Sequence, residues 1–272
     1  FFFYYEERGF IPHRTDEPLW ESRPLTRRES GDEKPPHIRV RYRLETYPTH
    51  IRLVHNAFQE LWDSPTATTA RRVERFFGWE RDTLKRACQI AVLLHDVGKL
   101  NVKWQIWVAE YQTKIEGKHD PTAVYAHTDY ERGSEEHEAA QRQLGSRPYH
   151  AVEGAVAVLP VLQAAFEDDD LVRAVFSAIA RHHAPFSGES RAARLIPNAR
   201  KWIAETADAI GVPLDLSPLD GVTAPLRAVD DAARSGVIAI PDESDTRAFF
   251  AYLILVRMLR RADQQGTKKG SQ

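Results

Sequence analysis

Hydrophobic residues recur at helical spacing through most of the chain after residue 47. The first such run places Ile51, Val54, Phe58, Leu61 and Trp62 on one face of a helix that begins near Pro48. Further helices are predicted over Thr83–His95, Ala151–Phe166, Leu171–His183, Asn198–Ile210 and Thr246–Asp263. The last of these is apolar on nearly every side, which predicts a central position. The pattern favours an all-α fold.

The first 45 residues follow a different pattern, rich in Pro, Arg and Glu and without a helical period. Apolar and basic residues alternate near their end, which is typical of a half-exposed strand. The apolar positions are Ile38, Val40, Tyr42 and Leu44, and the basic ones are Arg39, Arg41 and Arg43. Residues 1–5 are a candidate partner strand in a small β-hairpin. We favour a solvated arginine face over one that contacts a phosphate backbone.

We therefore divide the chain into an N-terminal extension or linker, residues 1–45, and one helical domain, residues 46–272. Within the domain, residues 101–149 form a polar stretch with patchy helical signal, which we interpret as an insertion beside the functional site.

Composition narrows the setting of this domain. The whole chain has 37 Lys and Arg residues, which nearly balance its 39 Asp and Glu residues, so any contact with nucleic acid must be local. The single cysteine, Cys88, lies on an apolar helix and excludes an internal disulfide, which fits a reducing, cytoplasmic setting. No signal peptide or membrane span is evident. The chain starts with Phe1 and its one methionine is Met258, so we expect a domain of a longer polypeptide.

An adjacent imidazole and carboxylate, His95 and Asp96, end an apolar helix that should be buried. A buried carboxylate is costly unless a cation or several donors compensate it, and the neighbouring imidazole favours a metal ion. Other candidate ligands also lie at predicted helix termini, where separate segments converge on one pocket. These are His150, His182, His183 and Asp263. The remaining histidines fit a solvated role, because His119, His127 and His137 lie among charged residues and His13 and His37 lie in the linker.

This ordered set of residues resembles the HD superfamily of metal-dependent phosphohydrolases, and Gly98-Lys99 completes its His-Asp-x-Gly-Lys form. Further motifs between Pro48 and Thr267 resemble the nuclease domain of the type I CRISPR-associated helicase-nuclease. They are Trp104-Gln105, Pro148-Tyr149-His150-Ala151 with Gly154-Ala155, Ala178-Ile179-Ala180-Arg181-His182-His183, and Arg261-Ala262-Asp263.

The resemblance implies an HD-domain helical bundle with a two-metal site. Asp96 would bridge both ions, with His50, His95 and Asp263 completing one site and His150, His182 and His183 the other. Lys99 would neutralise a phosphate oxygen or orient Asp96, although a surface lysine after a glycine turn is the alternative. Five of these seven ligands would be imidazoles, and such a set favours Mn²⁺, Fe²⁺, Co²⁺ or Ni²⁺ over Mg²⁺.

The implied activity is hydrolysis of single-stranded DNA in CRISPR interference, with a helicase domain in the same or a separate chain and a target-bound surveillance complex as partners. No membrane is involved. Two alternatives stay open: a nucleotide phosphohydrolase that uses one metal, and a non-catalytic module that keeps the fold to dock partners. The docking module is disfavoured because such modules usually lose ligands, and here none of the seven is missing.

The first ligand has two candidates, His50 and His55. We prefer His50 because it stands at the start of its helix, four residues before Val54, in the family's opening pattern. We predict that His50→Ala loses bound metal and that His55→Ala retains it, as counted by elemental analysis of the purified proteins. Full occupancy in the His50 variant with loss in the His55 variant would reverse the choice.

Overall fold

The computed structural model describes residues 2–5, 9–12, 41–62, 65–131, 134–183, 192–223 and 244–270. The chain divides into two compact units, residues 1–39 and 40–272. In the first unit, β1 (Phe2–Tyr5) pairs antiparallel with β2 (Gly9–Pro12). We predicted a hairpin between residues 1–5 and the arginine-rich strand that ends near Leu44. A hairpin is present, but the prediction of its second strand was wrong, because Arg41–Tyr42 pairs with a strand of the insertion. His13, His37 and residues 38–40 lie outside the described residues.

The second unit is a helical bundle, which confirms the all-α class. α9 packs against α1, α2, α3 and α7, as predicted for an apolar central helix. None of the helices in the described ranges is long and apolar enough to cross a bilayer. In chain order the helices are α1 (Tyr47–Trp62), α2 (Pro65–Phe77), α3 (Thr83–Leu94), a 3₁₀ helix (Val97–Leu100), α4 (Val102–Lys114), α5 (Glu135–Leu144), α6 (Ala151–Ala165), α7 (Asp169–Ala180), α8 (Ala199–Ile210) and α9 (Thr246–Gly270).

Among the helices outside the insertion, three differ from the prediction. α2 was not predicted, because its sequence is mostly polar and it buries only Ala67, Ala70 and Glu74. α7 ends at Ala180, so the two histidines that follow lie in a turn rather than within the helix. α9 continues beyond its predicted end to Gly270.

The helix starts are stabilised by side chains that accept hydrogen bonds from free backbone N–H groups. Asp168 accepts from the N–H of Asp170 at 2.9 Å and starts α7. Asp82 precedes α3 but makes no side-chain capping bond. The buried Glu74 of α2 takes its place and accepts from the N–H of Leu84 at 2.8 Å.

Short strands join the insertion to the segment that precedes α1. β3 (Arg41–Tyr42) pairs with β6 (Tyr130–Glu131), and β4 (Glu45–Thr46) pairs with β5 (Tyr125–His127). A separate pair, β7 (Ala193–Arg194) and β8 (Val222–Thr223), lies later in the chain.

The insertion has its own hydrophobic cluster, which includes Trp104, Trp107 and Tyr111. His137 belongs to this layer: it is buried, and its Nδ1 lies 2.8 Å from the hydroxyl of Tyr111. The prediction of a solvated His137 was therefore wrong, since α5 turns this side chain inward.

Glycines allow two backbone approaches that a larger residue would block. A Cβ on Gly98 would lie 1.9 Å from the carbonyl oxygen of His150 and 2.9 Å from the nitrogen of Gly154. A Cβ on Gly266 would lie 2.9 Å from the backbone of Val54, where α9 crosses α1. The 3₁₀ helix therefore lies directly against the start of α6, and α1 lies directly against α9.

We predict that Gly98→Ala lowers the free energy of unfolding by about 1–3 kcal/mol or more, because the added methyl group meets backbone that cannot move aside easily. Urea unfolding followed by circular dichroism measures the change. Gly221→Ala is the matched control, since its Cβ meets nothing within 4 Å, and it should differ from the parent by less than about 1 kcal/mol. Equal stability of the two variants would contradict the close approach.

Candidate metal centre

The carboxylate of Asp96 lies at the centre of the site, in the turn between α3 and the 3₁₀ helix, and is 1% exposed. Its Oδ2 lies 3.1 Å from His50 Nε2 and 3.4 Å from His95 Nε2. Its Oδ1 lies 3.3 Å from His150 Nε2 and 3.7 Å from His182 Nε2. The two oxygens of one carboxylate therefore face two different pairs of imidazoles.

The remaining predicted ligands complete the two sets. Asp263 Oδ1, from α9, lies 3.5 Å from His50 Nε2 and 3.9 Å from His95 Nε2. His183 Nε2 lies 2.9 Å from His150 Nε2. The structure thus brings all seven predicted residues together, although they come from α1, α9, the turns after α3 and α7, and the residue before α6.

The imidazoles are oriented for metal binding. Nδ1 of His95 and Nδ1 of His182 each donate to the backbone carbonyl three residues earlier, at 2.8 and 2.6 Å. Nδ1 of His50 donates to a carboxylate oxygen of Glu45 at 3.0 Å. In the neutral imidazole the proton on Nδ1 leaves the lone pair of each ring on Nε2, where it faces Asp96. These three Nε2 atoms are buried and have no hydrogen-bond partner in the described part of the chain.

The spacing of the ligand atoms also suits an ion. Two atoms that are each about 2.1 Å from one metal lie roughly 3.0–3.4 Å apart at octahedral or tetrahedral angles. Around Asp96 the observed separations run from 3.1 to 3.7 Å. Nitrogen donors predominate, which suits divalent transition metals better than Mg²⁺. The cluster is able to hold metal.

Lys99 is part of this centre. Its side chain is 3% exposed, and Nζ lies 2.7 Å from Asp96 Oδ2, so the alternative of a surface lysine is wrong. The ammonium also lies over the ring of Trp104, 5.5 Å from its centroid. Gln105 fixes this turn, because its amide donates to the backbone carbonyls of Lys99 and Tyr125 at 2.7 and 2.9 Å. Trp104 and Gln105 therefore hold Lys99 in place, the first through its ring and the second through the backbone carbonyl of the lysine.

The electrostatics favour a charged Asp96 next to neutral imidazoles at His95 and His150. Burial raises the pKa of Asp96, but Lys99 and the nearby imidazoles outweigh burial and hold this pKa well below its usual range. Burial lowers the pKa of His95 to about 4 and that of His150 to about 3. Burial also acts to lower the pKa of His50, but the nearby carboxylates of Asp263, Asp96 and Glu45 raise it well above its ordinary value. Of these three imidazoles, His50 therefore has the strongest tendency to carry a positive charge, because it has the most carboxylates around it.

Two residues of the site were not predicted: Glu45, and His127, which was wrongly expected to be solvated. They face each other as cross-strand partners in β4 and β5. Glu45 Oε2 accepts from Nδ1 of His50 and lies 3.1 Å from Nδ1 of His127. Burial raises the pKa of Glu45, but the hydrogen bonds from both imidazoles lower it to about 2.

The place of His55 is different from that of His50. His55 Nε2 lies 3.0 Å from the side-chain amide nitrogen of Gln59, one turn along α1. It is not among the residues that converge on Asp96.

Fold and site together define an HD domain, a helical bundle with a buried His-Asp pair able to bind metal. The family model described as "Cas3, HD domain" matches residues 29–234, well over half of the chain, and the chain belongs to this family. The comparisons with curated proteins and with solved structures found no match. Because the matched residues end before α9, the case for Asp263 as a ligand rests on geometry.

We predict that Glu45→Gln weakens metal binding by about 10- to 100-fold, because the charged acceptor behind His50 is lost while the shape is kept. Competition with a coloured chelator at fixed pH measures the affinity. Glu60→Gln is the control: Glu60 is exposed on α1 and pairs with Lys269 at the surface. Unchanged affinity in the Glu45 variant would show that this carboxylate does not position His50.

Proposed function

We propose that this domain is a two-metal nuclease that hydrolyses phosphodiesters of single-stranded DNA in CRISPR interference. One observation carries the proposal: the two oxygens of Asp96 face separate groups of imidazoles. A short carboxylate in this position is suited to bridge two ions about 3.5–4 Å apart. Membership of the Cas3 HD family supports a nuclease of a CRISPR system.

The proposed ligand sets share Asp96. His50, His95 and Asp263 hold one ion, and His150, His182 and His183 hold the other. We propose Mn²⁺, Fe²⁺, Co²⁺ or Ni²⁺ as the effective ions and Mg²⁺ as a weaker one, because imidazole nitrogen predominates among the ligands. When bound, such ions polarise a phosphoryl oxygen and lower the pKa of water.

The protein's own groups position the reaction. Lys99 orients Asp96 through its 2.7 Å contact and adds positive charge next to the place where negative charge develops on the phosphate. His150, His183 and Asp263 line a cavity that reaches this centre, whereas His50 and His95 are fully buried behind it. The substrate therefore approaches from the side of the cavity.

The alternatives have less support. A nucleotide phosphohydrolase with one metal would not need a second group of imidazoles on the other oxygen of Asp96. A docking module would not need seven converging ligands. We further propose a helicase domain and a target-bound surveillance complex as partners, and the cytoplasm as the location, because the family acts in CRISPR systems.

We predict that Asp96→Asn removes metal from both positions and lowers cleavage of single-stranded DNA at least about 100-fold, more than the loss of a supporting residue would. Elemental analysis counts the ions, and gel electrophoresis of a labelled strand follows cleavage with Mn²⁺, Ni²⁺ or Mg²⁺. Asp208→Asn, at an exposed position on α8, is the matched control.

Two results would contradict this function. If the protein hydrolyses nucleotides but leaves DNA intact with every metal, it is a nucleotide phosphohydrolase and the proposed nuclease function is wrong. Loss of only one ion in Asp96→Asn would show that this carboxylate does not bridge.

A further inference from the structure

A cavity of about 750 Å³ extends from the metal centre to the surface of the described bundle. Its inner end is lined by Lys99, His150 and Asp263, and its outer side by the exposed residues Arg147 and Lys268. This volume lies within the range of about 300–1,000 Å³ that is usual for ligand sites. The cavity therefore offers a path from solvent to the reacting centre.

One wall of the cavity is aromatic. Tyr42 and Tyr130 are cross-strand partners in β3 and β6, and their ring centroids lie 5.4 Å apart with an interplanar angle of 34°. Both side chains are partly exposed, and neither belongs to the main core or to the cluster of the insertion. Tyr130 also contacts the ring of His137, and Tyr42 that of His127, but both tyrosines keep part of their surface exposed beside the cavity.

The outer side carries positive charge held in place by other aromatic rings. The guanidinium of Arg147 lies 5.8 Å from the ring centroid of Trp104 and 6.0 Å from that of Trp107. No carboxylate of the described residues forms an ion pair with Arg147 or Lys268. The chain as a whole has a formal charge of -2, so the two cations beside this cavity are a local feature.

We propose that this cavity is a binding groove for a short single-stranded DNA segment. Bases stack on Tyr42 and Tyr130, and backbone phosphates contact Arg147 and Lys268, so that a phosphodiester reaches Lys99 and the metal ligands. The inference rests on the proposed function and adds the residues that select the substrate. Positive grooves with aromatic platforms bind single strands because only unpaired bases expose their faces for stacking.

Anisotropy of a labelled oligothymidylate of about ten nucleotides, with chelator present to stop cleavage, tests the groove. We expect Tyr42→Ala to weaken binding by about 5- to 100-fold and Tyr42→Phe to bind as the parent does, because the ring carries the stacking. Arg147→Gln should reduce the slope of log affinity against log salt by about 0.7, the value for one phosphate contact on a single strand. Circular dichroism checks that each variant folds.

Two control variants lie on α2, outside the cavity lining. Phe76→Ala removes an aromatic ring that is 79% exposed, and Arg72→Gln removes an exposed cation. Both should bind the oligothymidylate as the parent does. If Tyr42→Ala and Arg147→Gln bind the oligothymidylate no more weakly than these controls do, the proposed groove is wrong. Parent protein that binds duplex DNA or oligouridylate more tightly than oligothymidylate would overturn its assignment to single-stranded DNA.

Hydrolysis of bis(p-nitrophenyl) phosphate with Mn²⁺ separates the groove from the metal centre, because this small diester is too short to span the groove. We expect Tyr42→Ala to lose more activity on DNA than on the small diester. A parent protein that cleaves neither substrate would overturn the proposed function, while the binding data would still decide the groove. Equal losses on both substrates would overturn the groove alone.

Discussion

Burying the charge of Asp96 costs free energy that only cations and hydrogen-bond donors around it offset. Lys99 supplies one cation at 2.7 Å, and imidazoles surround both oxygens. These groups come from helices far apart in the chain, so the bundle must bring several helix ends to one point. The remaining attraction for positive charge makes the cluster able to hold metal. Folding and the metal binding that we propose therefore involve the same carboxylate.

The convergence requires helices that lie unusually close. Gly98 and Gly154 let the turn after Asp96 contact the start of α6, which brings His150 to the carboxylate. Gly266 lets α9 contact α1 next to Val54, one turn from His50. The glycine of the His-Asp-x-Gly-Lys form thus has a packing role: it removes the side chain that would separate the ligands.

The elements outside the bundle have a second role. The β4–β5 pair places a carboxylate behind His50, and the insertion supports Lys99 through the Trp-Gln pair. The β3–β6 pair adds two tyrosines on the open side of the same centre. The segment before α1 and the insertion therefore supply what the helices lack: support behind the candidate ligands and one wall of the cavity in front of them.

The sequence by itself determined most of the helices and named seven candidate ligands, because apolar periodicity and short motifs at helix ends are local signals. It did not predict α2, which buries few apolar residues, or the ends of α7 and α9. Glu45 and His127 were missed for a different reason: they meet as cross-strand partners although 82 positions separate them. Only the tertiary structure decided this pairing and which oxygen of Asp96 faces which imidazole, since both depend on how distant segments pack.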